Sequence, residues 1–104
     1  MSELARVPAD SVPDGKAIRL EAGPDGVCLV RIGSTFLAVA DRCTHADVRL
    51  SEGDVDPEEC SVECWKHGSA FSLVDGEPQS LPATRPVQVY PVERDGDDVV
   101  VLDS

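Results

Sequence analysis

Short apolar or alternating runs recur along the chain every eight to twelve residues or so, with Gly, Pro and Asp between them, and no segment sustains a helical period over three turns. This pattern predicts an all-β chain. The candidate strands are 17–20, 27–32, 35–40, 61–63, 69–73, 87–92 and 98–102. Turn chemistry lies between them: Pro24-Asp25-Gly26, Gly33-Ser34, Asp75-Gly76 and Asp95-Gly96 put Gly or Ser where a hairpin needs a permissive backbone. Gly33-Ser34, between two apolar runs, is the clearest two-residue hairpin signal, and Asp95-Gly96 joins the last two strands.

A length of 104 residues suits one domain, 1–104, because a core of this size can fold alone but not divide in two. At this small scale a bound metal often supplements the apolar core. The middle of the chain differs from its ends. Residues 41–82 hold both histidines, the sole Trp, three of the four cysteines and the acidic stretch 51–59. The expected organisation is a β scaffold formed by 1–40 and 83–104, carrying an inserted segment at 41–82 in which a site is concentrated.

Charge narrows the partners. Asp and Glu number 20 against 9 Lys and Arg, a formal charge of -11. Nucleic acid and anionic membrane reward Lys/Arg stripes that this chain lacks, so a basic protein surface is the better match. No run is long and apolar enough to span a bilayer, and Met1-Ser-Glu-Leu-Ala-Arg-Val-Pro8 lacks the basic head and apolar run of a signal peptide. The expectation is a cytoplasmic monomer. Thiols in that compartment stay reduced, so the cysteines read as metal ligands or core residues before disulfides.

Cys43-Thr44-His45 and Cys64-Trp65-Lys66-His67-Gly68 form two ligand pairs separated by eighteen residues, each joining one thiolate to one imidazole. A 2Fe-2S cluster with two thiolates on one iron and two imidazoles on the other needs such a pair from each of two loops. Neutral imidazoles in place of thiolates remove two negative charges from one iron and raise the potential. Each His ligates through one ring nitrogen and keeps the other for a proton, so reduction should couple to protonation. Zinc also accepts Cys2His2, but its usual C-x-x-C knuckle is missing here. Cys28, in Val27-Cys-Leu-Val-Arg-Ile32, reads as core; Cys60, expected to share a strand face with Val62, reads as a buried thiol. With both histidines used as ligands, no Ser-His or Cys-His pair is left for nucleophilic catalysis, and no Gly-rich phosphate loop is present.

C-x-H followed by C-x-x-H-G resembles the Rieske signature, and the resemblance runs through Phe71, Gly76, Leu81-Pro82 and Val87-Gln-Val-Tyr-Pro-Val92. The chain looks most like the stand-alone Rieske ferredoxins of bacterial ring-hydroxylating dioxygenases. The resemblance implies the Rieske fold of small antiparallel sheets, with one 2Fe-2S cluster held by Cys43 and Cys64 on the inner iron and His45 and His67 on the outer. It further implies an electron carrier, not an enzyme, between a flavin-dependent reductase and a terminal iron oxygenase. A redox-sensing or cluster-assembly accessory, and a cluster-free module like a nitrite reductase small subunit, are the alternatives. High-potential relatives carry an extra Cys in each box, which form a bracing disulfide; Val48 and Lys66 stand at those positions. Ser69 is present, but Phe71 replaces a Tyr whose hydroxyl favours the reduced cluster, and Trp65 stands where Pro is usual. Together with the net charge, this predicts a potential of roughly -150 to 0 mV, the low end of the Rieske range.

Overall fold

The computed structural model describes residues 2–44, 48–66, 68–79 and 85–103. Among the described residues, ten strands make three antiparallel sheets. The first sheet has the order β1-β10-β9, from Ser2–Pro8, Asp98–Asp103 and Val92–Asp95. A second has the order β2-β3-β4-β8, from Ala17–Leu20, Val27–Ile32, Thr35–Ala40 and Val89–Tyr90. The third has the order β5-β6-β7 and comprises Asp54–Asp56, Ser61–Glu63 and Ala70–Ser72.

The second sheet is buried on both sides, which explains the unbroken apolar run Val27-Cys28-Leu29-Val30, all fully buried. Strand alternation sends Val27 and Leu29 into one core with Ala38, Tyr90, Val99 and Val101. Cys28 and Val30 enter the other core, with Val39, Leu50, Val62, Phe71 and Leu73. The same second core contains Cys43 and Cys64. The central sheet therefore separates a purely structural core from one whose far side is the small β5-β6-β7 sheet.

Strands 27–32, 35–40 and 61–63 coincide with β3, β4 and β6. Ile32 pairs with Thr35 and Asp95 with Asp98, so both anticipated hairpin turns form, each with a Gly at positive φ, Gly33 and Gly96. Four features differ from expectation. Ser2–Pro8, outside the expected strands, forms β1 along β10, with a register shift between Glu3 and Ala5. The strand over 87–92 breaks at Pro91: β8 pairs with β4, whereas β9 pairs with β10. Pro has no N–H to donate, so it suits the point where the chain changes sheets; its carbonyl still accepts the Leu102 N–H at 2.9 Å. The acidic stretch contains β5, whose single apolar residue, Val55, is too little to register as alternation. Cys60 does not share a strand with Val62. It closes the preceding turn at φ 52°, its carbonyl accepting the Leu73 N–H at 2.8 Å, and its half-buried side chain packs on the second core.

Candidate metal centre

The first site loop leaves β4 at Asp41 and returns through a 3-10 turn at Leu50–Glu52. Its neck is closed by the Cys43 N–H, which donates to the Val48 carbonyl at 2.9 Å. The Thr44 hydroxyl donates to the Arg85 carbonyl at 2.7 Å and ties the loop to the chain's last third. The second site loop is the connection between β6 and β7. It is tight: the Cys64 N–H donates to the Ser69 carbonyl at 2.6 Å, and the Gly68 N–H to the Cys64 carbonyl at 2.9 Å. Gly68 has φ 74°, a left-handed conformation that a side chain resists.

Each loop thus places one cysteine at its neck, facing inward. Cys43 and Cys64 are 1% and 0% exposed, and none of the four cysteines is in a disulfide. Two buried thiols at the mouths of adjacent loops, in one apolar core, are a donor set suited to the thiolate-ligated iron of a Rieske cluster. His45 and His67, which complete the expected ligand set, lie outside the described residues, as do Leu81 and Pro82. Among the described residues no group of three or more His, Cys, Asp and Glu gathers as a metal site.

Around the thiols the surroundings are sharply divided. Ser69, at the end of the second loop, and Phe71, on β7, are fully buried. Trp65 is 55% exposed, so it presents its ring to solvent instead of sealing the core, alongside exposed Lys66 and Gly68. Cys28 lies in the same core, and burial, reinforced by the Asp41 charge, pushes its thiol well above the ordinary range. That thiol is a core residue, as its apolar run predicts.

Two supporting residues gave no signal in the sequence. Gly53 ends the 3-10 turn, and a Cβ placed there would lie 1.8 Å from the Glu63 carbonyl oxygen, one residue before Cys64. Asp41 is buried, with Oδ1 accepting the Ser51 N–H at 2.7 Å and Oδ2 accepting the Ser51 hydroxyl at 2.6 Å and Arg19 Nη1 at 3.0 Å. Arg19 also donates to the Asp25 carbonyl and to Glu21; the carboxylates of Glu21 and Asp41 raise its pKa.

A small three-sheet β protein with paired buried thiols on two loops is a scaffold for an iron-sulfur centre. The model of the Rieske [2Fe-2S] domain matches residues 3–91, and the chain belongs to that family. It is 36% identical to the 3-phenylpropionate/cinnamic acid dioxygenase ferredoxin subunit of Escherichia coli strain K12, over 97% of this chain and 93% of that protein. The ferredoxin of carbazole 1,9a-dioxygenase from Nocardioides aromaticivorans IC177 superposes with a TM-score of 0.94 at 28% identity, over the whole of both chains. A chain from a complex of reduced oxygenase and oxidised ferredoxin in carbazole 1,9a-dioxygenase gives a TM-score of 0.86 at 35% identity, over 94% of this chain and all of that one.

Proposed function

We propose that this protein is the ferredoxin component of a ring-hydroxylating dioxygenase system, taking one electron from a flavin-dependent reductase and delivering it to a terminal iron oxygenase. The carrying observation is the pair of buried cysteines, Cys43 and Cys64, at the necks of the loops bearing the Cys-x-His and Cys-x-x-His boxes. In this reading Cys43 and Cys64 hold one iron of a 2Fe-2S cluster, and His45 and His67 hold the other. When bound, the cluster supplies a reversible one-electron step with no open iron position for a substrate.

The protein's own residues do the rest. The second core, with Phe71, Leu73 and Leu50 fully buried, excludes water from the thiol side. With one ring nitrogen of each spent on iron, His45 and His67 would keep the other to carry the proton that accompanies reduction. The exposed Trp65 and Lys66, between the second ligand pair, form the surface a partner meets, and a net charge of -11 favours partners with a basic face. The proposed organisation is a single domain in which 41–82 is a cluster-binding segment on the scaffold of 1–40 and 83–104; the β5-β6-β7 sheet falls wholly within that segment. Among the described residues no helix is long and apolar enough to cross a membrane, in keeping with a cytoplasmic carrier.

Purified protein should be red-brown and give a Rieske-type electron paramagnetic resonance (EPR) signal on reduction, and His67→Cys should change that signal. A colourless, zinc-loaded protein would overturn the proposal. Reduction by a flavin reductase that slows as salt rises supports docking through opposite charges, because screening weakens steering.

A further inference from the structure

Asp41 is the one charged residue among the described residues that is buried, and its side chain is wholly shut off from solvent. A carboxylate in such a place costs several kcal/mol unless it is paired and hydrogen-bonded, and even a well-paired buried ion pair rarely stabilises more than an apolar replacement. Its retention points to a task other than net stability, and its partners show which. The Asp41 N–H is fixed to the Gly26 carbonyl at 3.1 Å. Its carboxylate grips both the N–H and the hydroxyl of Ser51, at the far end of the first site loop, and Arg19 of β2 neutralises it from the central sheet.

The result is a loop closed twice, by the Asp41–Ser51 bonds at its base and by Cys43 N–H to Val48 carbonyl one step further out. Cys43 is two residues from the carboxylate and His45 four. With Val48 and Lys66 at the positions of the extra cysteines, no disulfide can brace the two boxes. We propose that Asp41 is a positioning residue for the cluster: its buried carboxylate, bridging Arg19 and Ser51, fixes the direction in which Cys43 leaves the core. This rests on the ligand assignment proposed above.

The test uses the cluster-loaded protein and four variants, Asp41→Ala, Asp41→Asn, Ser51→Ala and Val99→Ala. Loss of the visible chromophore into excess chelator, the EPR line shape of the reduced cluster and the melting temperature are recorded for each. Removing a residue that orients metal ligands typically costs 10- to 100-fold in metal affinity. Asp41→Ala should therefore lose its cluster at least about tenfold faster than wild type and broaden the EPR lines. Asp41→Asn, which keeps an acceptor for the Ser51 N–H, and Ser51→Ala, which removes one bond, should fall between. Val99→Ala thins the opposite core, at a fully buried position, and should lower the melting temperature with cluster loss and line shape unchanged.

The inference is overturned if Asp41→Asn and Ser51→Ala release the cluster at the wild-type rate with wild-type line shape, whatever happens to melting. It is equally overturned if Val99→Ala speeds release as much as they do. Should Asp41→Ala fail to fold, those other variants decide. Wild-type protein without a Rieske signal would instead refute the proposed function, and this inference with it.

Discussion

Gly53→Ala tests how the second ligand loop is held. At φ -90° and ψ -170° Gly53 is in extended backbone that any residue adopts, so conformation alone predicts a gain of about 0.4–1 kcal/mol from a stiffer unfolded chain. Space predicts the opposite. The new Cβ would lie 1.8 Å from the Glu63 carbonyl oxygen, 3.0 Å from its carbon and 3.3 Å from the Leu50 carbonyl oxygen. Backbone, not a flexible side chain, is in the way, and reaching even 3.0 Å takes a displacement of about 1.2 Å. Overpacking of this kind costs about 1–3 kcal/mol; a central cost of about 2 less a gain of about 0.7 leaves a net destabilisation of about 1.3 kcal/mol, a fall of roughly 5–10 °C in melting temperature. Because Glu63 precedes Cys64, the displacement falls on the second ligand loop, and the EPR line shape of the reduced protein should change as well. Gly96→Ala is the comparison: φ 61° with nothing within 4 Å costs about 1–2 kcal/mol of left-handed strain in a turn far from the thiols in sequence, and leaves the line shape alone. Calorimetry and EPR on the loaded proteins decide, and a Gly53→Ala protein melting at or above wild type refutes the reasoning.

Asp54 and Glu63 pair directly across β5 and β6, and like charges in that position repel, so Asp54→Asn should stabilise the loaded protein by about 0.2–1 kcal/mol, less at high salt; a lower melting temperature contradicts this. In native loaded protein iodoacetamide should modify Cys60, which is half-buried, and spare Cys28, whose thiol is fully buried and pushed up in pKa; mass spectrometry of the labelled peptides reports which. Phe71→Tyr returns a hydroxyl on β7, and a hydrogen bond favouring the reduced cluster by about 0.5–1.5 kcal/mol raises a one-electron potential by about 20–60 mV. Direct voltammetry measures it, and an unchanged or lower potential shows that the hydroxyl donates elsewhere. Arg6 bridges Glu3, Asp95 and Asp98 across the exposed first sheet, so Arg6→Met should leave the denaturant midpoint almost unchanged; a clear drop would mean these exposed pairs act as a network.

The strands that the sequence reveals are those whose alternation is strong or whose burial is complete. β3 and β4 are legible because the central sheet is covered on both faces, and the Gly33-Ser34 turn pins their register. β5 escapes notice because three residues with one apolar side chain give no period, and its pairing is imposed by β6 beside it. Pro91 is plain in the sequence, yet the exchange of sheets that it accompanies depends on β8 pairing with β4, which lies far back in the chain, while β9 folds onto β10 next to it. Cys60 packs on the core as its sequence context suggests, but from a turn with positive φ one residue before β6, where strand alternation no longer applies.

The two kinds of site residue differ in what makes them legible. Ligands announce themselves because few side chains can bind iron, so two Cys/His boxes at fixed offsets carry their meaning locally. Asp41 carries none, since an aspartate after an apolar strand normally reads as the start of a solvated turn. What makes it exceptional is the convergence of Arg19 from β2 and Ser51 from beyond the loop, twenty-two residues before it and ten after, which only the folded chain brings within 3.0 Å. Gly53 is the same case in steric form, its reason lying in the Glu63 carbonyl ten residues on. Chemistry at this centre is therefore written in the ligand boxes, whereas their aim is set by long-range contacts. Substitutions at Asp41 and Gly53 should accordingly disturb the centre while leaving every ligand in place.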